Sequence, residues 1–108
     1  MEEVLQPDLC VIGAGSGGLS VAAAAAQFGV PVVLIEKGRM GGDCLNYGCV
    51  PSKALIKTAT LARQMRHSAD YGIAQAEFRI DFAQVMDRVA GIVRAIEPHD
   101  SVERYTAL

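Results

Sequence analysis

Cys44 and Cys49, five residues apart, with Lys53 four residues further on, are the side chains here whose types and spacing invite chemistry. They lie in GGDCLNYGCVPSKALI, residues 41–56. Such a pair can staple a fold, hold a metal or pass electrons. A zinc site needs about four ligands, and His67 and His99 lie far along the chain with no second cysteine pair beside them. The metal reading is poor. The opening MEEVLQPD lacks the basic segment and cleavage site of a secretion signal, which implies a reducing, cytoplasmic setting where structural disulfides are rare. Closing so short a ring would contribute only about 2 kcal/mol. A functional thiol couple is the favoured reading.

Residues five apart in a regular helix have Cα atoms about 8–9 Å apart, beyond the roughly 7 Å reach of a disulfide. Both cysteines therefore cannot share one regular helix. The spacing predicts a loop from Cys44 to Gly48, with Gly48 taking an unusual backbone conformation. Cys49 then opens a helix whose first turn accepts Pro51. At that terminus the helix dipole favours the Cys49 thiolate and is expected to lower its pKa. Lys53, one turn along the same face, can stabilise a thiolate or a reduced cofactor; its bland alternative is an exposed first-turn lysine. The third cysteine, Cys10, reads as a small buried hydrophobe.

Upstream of the pair, the elements that would position it have a specific order. DLCVI, residues 8–12, is a short apolar run suited to a strand buried on both faces. SGGLSVAAAAAQFG, residues 16–29, is an alanine-rich helix with its stop signal at Gly29 and Pro31. VPVVLIE, residues 30–36, is a second strand ending at Glu36. Strand, turn, helix and strand in this order make two parallel neighbours, an α/β unit of the Rossmann kind. The turn, Gly13-Ala14-Gly15-Ser16-Gly17-Gly18, satisfies G-x-G-x-x-G, and Glu36 follows Gly13 by 23 positions. In that context Gly13 allows the tight turn, Gly15 a close approach of a pyrophosphate, and Gly18 close helix–strand packing. The helix N-terminus attracts phosphates, while Glu36 accepts from ribose hydroxyls.

The rest of the composition narrows the setting. With 108 residues, 51% apolar, 20% charged and a net charge of -2, the chain is read as one domain or part of one. Neither a disordered tail nor a nucleic-acid-binding strip is suggested. Residues 9–35 carry no formal charge. Their glycines, Gln27 and Pro31 break what a membrane helix would need, about 20 continuous apolar residues, so a soluble protein is expected.

The combination of GAGSGG with VVLIEKGRMGGDCLNYGCVPSK resembles the N-terminal part of the FAD-dependent pyridine nucleotide-disulfide oxidoreductases. The GGDCLN form is nearer to the dihydrolipoamide dehydrogenase and mercuric reductase branch than to glutathione reductase. The likeness spans at least residues 8–57. It implies FAD as the dinucleotide, with NAD or NADP bound outside these residues. It also implies that Cys44 and Cys49 form a redox-active disulfide facing the flavin, Cys44 exchanging with substrate and Cys49 meeting the flavin. By position, Gly13, Gly15, Ser16, Gly17 and Gly18 form the pyrophosphate turn and Glu36, followed by Lys37, serves the adenosine ribose. Gly42, Asp43 and Cys44 meet the cofactor from a second loop, and Lys53 sits near the flavin ring. Asp43 departs from the threonine common in the family, and its charge would oppose a direct phosphate contact. Electrons would pass between NAD(P)H, FAD, the disulfide and a small dithiol, disulfide or metal-ion substrate. A homodimer is implied, with no nucleic-acid or membrane partner. The alternative is a non-catalytic FAD-binding module that senses redox state through the same pair.

Further along, residues 50–69 place Leu55, Ala59, Ala62 and Met65 on one helical face, expected in a core. Met65 and Met86 read as core filler. Asp81 with Gln84, and Asp100 with Glu103, have capping-box spacing, predicting helices from about 82 and 101. Gly72 to Arg79 separates the helices. His67 and His99 are read as solvated or capping. Two parallel strands are too few for an open doubly wound sheet. The 108 residues are therefore expected to be a partial FAD-binding domain, the N-terminal segment of a longer chain and inactive alone.

Overall fold

The computed structural model describes residues 2–74 and 77–108. In chain order it contains β1 (Leu9–Ile12), α1 (Ser16–Gln27), β2 (Val32–Ile35), α2 (Gly42–Asn46) and α3 (Cys49–Arg66). A 3-10 turn over Ser68–Tyr71, α4 (Phe82–Ile96), a second 3-10 turn over Glu97–Asp100 and α5 (Val102–Thr106) follow. β1 and β2 are parallel, with Leu9 opposite Val32 and Ile12 opposite Ile35. The expected α/β unit is present: one parallel pair joined through α1.

Local chemistry explains these boundaries. Alanine loses no side-chain entropy in a helix, and the run from Ala22 to Ala26 carries α1 to its end. There Gly29 adopts a φ of 76° and donates its amide to the Ala26 carbonyl at 3.0 Å. At the other end of α1, Gly18 lies so close to β1 that a Cβ would stand 1.8 Å from the Gly13 carbonyl oxygen. The third glycine of the turn is thus a packing residue, as its spacing predicts.

The sheet departs from the sequence reading in its burial. Leu9 and Val11 are half-buried, but Cys10 and Ile12 are exposed, Ile12 by 83%. β1 is therefore not buried on both faces, and Cys10 is not a core residue. The cause is the small sheet: α1 shields one side of two strands and leaves the other open.

Beyond the sheet, α3 and α4 lie antiparallel. Arg88 of α4 donates to the Ala54 carbonyl of α3 at 3.2 Å, and Ala54 and Val89 are buried. The face expected in a core is mostly open: Leu55, Ala59 and Met65 are exposed, as is Met86, and only Ala62 is half-buried. Among the described residues α3 meets chiefly α4 and the short α2 as helical partners, and it buries the neighbouring stripe at Ala54 instead. The molecule measures 70 × 27 × 18 Å with a radius of gyration of 20.4 Å, against about 13 Å for a compact chain of this length.

Asp81 caps α4 as expected, accepting the Gln84 amide at 3.2 Å. At α5 the cap is Ser101 rather than Asp100, and its hydroxyl accepts the Arg104 amide at 3.2 Å. The second 3-10 turn uses Asp100 as its own last residue and displaces the helix start to Val102. His67 is the C-cap of α3, 3.8 Å from the Asp70 carboxylate. Within the separator from Gly72 to Arg79, residues 75 and 76 lie outside the described residues. Among the described residues no helix is long and apolar enough to cross a membrane.

The contact at Gly18 yields a direct test. Gly18→Ala should destabilise the chain by about 1–3 kcal/mol through overpacking. Gly17→Ala, whose Cβ would meet nothing within 4 Å, should change stability little. Urea denaturation compares them, and equal midpoints would contradict the close approach of α1 to β1.

Candidate functional site

The site begins where β1 ends. Gly13, with a φ of 107°, donates its amide to the Ile35 carbonyl at 2.7 Å and continues the parallel ladder into the turn. Ala14 follows, fully buried. Its amide donates to Glu36 Oε2 at 2.6 Å, and its carbonyl accepts the Gly41 amide at 2.8 Å. Glu36 Oε1 accepts from the Gly38 amide at 3.0 Å. The Ala14 amide, then that of Gly38, hold the Glu36 carboxyl below its ordinary pKa; partial burial opposes them and Lys37 assists. Glu36, read from sequence as a ribose acceptor, thus also holds the glycine turn. A carboxylate offers about four acceptor positions, so these bonds leave room for hydroxyl donors.

Gly15 caps α1 in an extended conformation and has no side chain to offer the first-turn amides, and that turn carries no acidic residue. Ser16 and Gly17 are exposed there. Open amide donors at a positive helix end, with no carboxylate in that turn, suit an anionic group such as a phosphate. Gly18, assigned to the same turn, faces β1 instead.

A second glycine pair rests directly on the first turn. Gly42 has a φ of 61°, and a Cβ on it would lie 2.7 Å from the Gly15 Cα. Gly41 has a φ of 93°, and a Cβ there would lie 2.3 Å from Leu45 Cδ2. Only glycine lets α2 start against the turn in this way. The Asn46 amide group donates to the Gly42 carbonyl at 2.8 Å and the Met40 carbonyl at 3.2 Å, latching α2 to its approach. Sequence reasoning missed Ala14, Gly41 and Asn46; the adjacent glycines at 41 and 42 were the available signal.

This arrangement corrects the expected loop. Cys44 lies inside α2, with Asp43 exposed in its first turn, and the helix ends as the Tyr47 amide donates to the Asp43 carbonyl at 2.9 Å. Gly48 makes the turn with a φ of -121° and a ψ of -106°, and Cys49 is the first residue of α3. Two helices meeting at a glycine, rather than a loop and a helix, bring the thiols together. Both are free thiols. A hydrogen bond with the Cys49 side chain, followed by burial and the Cys49 charge, pushes the Cys44 thiol up; the Cys49 backbone and the Lys53 charge partly offset this. Lys53 is exposed, as is Lys37. Cys44 is half-buried and Cys49 exposed, so accessibility does not single out Cys44 as the thiol a substrate would reach first.

A cleft beside the pair is lined by Ser16, Gly41, Cys44 and Val50, together with Asp100 and Tyr105 from the C-terminal segment. The glycine turn and a cysteine helix are thus one structure. The family model described as pyridine nucleotide-disulphide oxidoreductase matches residues 7–105. The chain belongs to this family. A dihydrolipoyl dehydrogenase of Geobacillus stearothermophilus is 44% identical over 92 residues, covering 85% of this chain and 20% of the relative. That of Chlamydia muridarum is 46% identical over 89 residues, covering 82% and 19%. The Haloferax volcanii protein of the same name is 48% identical over 86 residues, covering 80% and 18%. The chain spans about a fifth of the length of these curated oxidoreductase relatives.

The Glu36 clasp makes the family's glycine turn sensitive to pH. Because the folded carboxyl titrates below its reference value of 4.5, its stabilisation is complete above that value. It is lost as pH falls through the lower folded value. Denaturation of the wild type between pH 6 and pH 3 should therefore show an acid-dependent loss that Glu36→Gln reduces. The same acid dependence in both proteins would contradict the clasp.

Proposed function

We propose that this chain is the FAD-binding, cysteine-bearing part of a flavin-dependent oxidoreductase that exchanges electrons between NAD(P)H and a small dithiol or disulfide. The observation that carries this reading is the seating of Gly42 on Gly15, because it ties the helix bearing Cys44 to the turn that suits a pyrophosphate. The name shared by the relatives favours a dithiol over a metal ion as substrate. A homodimer in the cytoplasm, built by a longer chain, belongs to the same proposal.

The residues present fit the dinucleotide. The amides of Ser16 and Gly17 receive the pyrophosphate, and Glu36 receives the adenosine ribose through its remaining acceptor positions, with Lys37 beside it. Gly42, Asp43 and Cys44 border the cofactor through their backbone, since the exposed carboxylate of Asp43 would repel phosphate. When bound, FAD supplies two-electron exchange between the nicotinamide and the cysteine pair.

The chain's own part is to divide charge between two sulfurs. Cys49 opens α3 at its positive end, and the ammonium of Lys53 acts on Cys44 as well. Cys44 retains its proton longer, because it shares a hydrogen bond with the Cys49 side chain, is partly buried and lies beside a second sulfur. A substrate disulfide is attacked by a thiolate, and a thiol beside it then resolves the mixed disulfide. Cys44 is assigned to exchange with substrate and Cys49 to the flavin side on the family resemblance, not on charge or exposure.

Gly15→Val tests the cofactor site. The added branch would enter the space in front of the α1 amides and press towards Gly42, so the purified protein should lose its yellow flavin. Normal flavin content would overturn the FAD assignment. In the longer chain of this proposal, Cys44→Ser and Cys49→Ser test the redox pair: each should keep its flavin while turnover of a dithiol substrate falls by about 10³-fold or more. Full turnover in either variant would remove the pair from the reaction, and intact flavin with no turnover in the wild type would favour a non-catalytic sensor.

A further inference from the structure

Two hydrogen bonds and a helix cap form a continuous path from Glu36 to the cysteines. Glu36 accepts from the Ala14 amide, the Ala14 carbonyl accepts from the Gly41 amide, and Gly41 caps α2, the helix that carries Cys44. Ala14 is fully buried, so neither of its peptide groups can exchange its partner for water without opening the junction. Neighbouring contacts remove the slack. Gly42 is packed on Gly15, and Leu45, the most deeply buried large side chain, fixes α2 one residue beyond Cys44.

We propose that Glu36 is a positioning residue for the redox pair as well as a ribose acceptor, fixing α2 through Ala14 and thereby holding Cys44 against Cys49. The proposal rests on the nucleotide reading above for its second half: an adenine nucleotide engaging Glu36 shifts the cysteine pair's preference between dithiol and disulfide. The first half depends only on bonds within the chain. A shortened or uncharged side chain at position 36 weakens the hold on Ala14. The lost restraint passes to Gly41 and lowers the effective concentration of one thiol at the other.

The test is a thiol–disulfide equilibrium with glutathione. Cys44 and Cys49 give up two protons and two electrons as the Sγ–Sγ bond forms. The glutathione disulfide bond breaks and takes both, leaving two glutathione thiols. In Glu36→Gln and Glu36→Asp the equilibrium constant for the protein disulfide should fall about fivefold, whereas Asp87→Asn on the exposed side of α4 should leave it unchanged. By linkage, ADP should bind the disulfide form of the wild type about fivefold more tightly than the dithiol form, and Glu36→Gln should abolish that ratio. Unchanged equilibria in folded Glu36 variants would overturn the proposal, as would equal ADP affinities for the two wild-type forms. If ADP binds neither form, the nucleotide reading fails and the equilibria of the variants alone decide the positioning role. If Glu36→Gln does not fold, Glu36→Asp and the wild-type ADP ratio decide it.

Discussion

A single buried alanine carries the constraint on which the site depends. The amide of Ala14 is held by a carboxylate at the end of β2, and its carbonyl by the amide that opens the way to α2. Buried peptide groups must find partners, and here the partners come from segments 22 and 27 residues away in sequence. The consequence is geometric. The end of a strand, the start of the glycine turn and the approach to a cysteine helix are fixed relative to one another by two hydrogen bonds. Glycine makes the same junction possible sterically, since a methyl group on Gly42 would collide with the Cα of Gly15.

From that junction the thiol chemistry follows. α2 is only five residues long, and a helix so short has little stability of its own. It persists because Leu45 is buried beneath it and Asn46 bonds back to Gly42 and Met40. Gly48 then turns the chain sharply enough for α3 to start with a thiol facing Cys44, where the interaction of the sulfurs raises the Cys44 pKa. The surroundings are a pocket of order in a sparsely buried molecule. Leu45, Ala54 and Val89 are buried where α2, α3 and α4 meet, Leu19 and Ala22 are buried on α1, and much of the remaining apolar surface is open.

Much of this was legible in the sequence because it is written in local patterns. The G-x-G-x-x-G turn, the alanine run, Gly29, the Asp81 cap and the impossibility of both cysteines in one helix each depend on neighbours within a few residues. The failures share the opposite property. Cys10, Ile12, Leu55 and Met65 are apolar at the right period, but period alone cannot say how many layers will cover them. α2 escaped notice because five residues hold too little periodicity to show, and the contacts that seat its start come from Gly15 and Ala14, far upstream. Glu36 was recognised by position, yet its bond to Ala14 could not be read from spacing.

On the proposed reading, a flavin site and a cysteine redox pair form one electron-accepting unit. An anaerobic reductive titration of the flavin-loaded protein, followed by visible absorbance, tests it most directly. Uptake of two electron pairs per flavin is expected, one by the flavin and one by the Cys44–Cys49 disulfide. Uptake of a single pair per flavin, with both cysteines already reduced at the outset and remaining inert to oxidation, would contradict it.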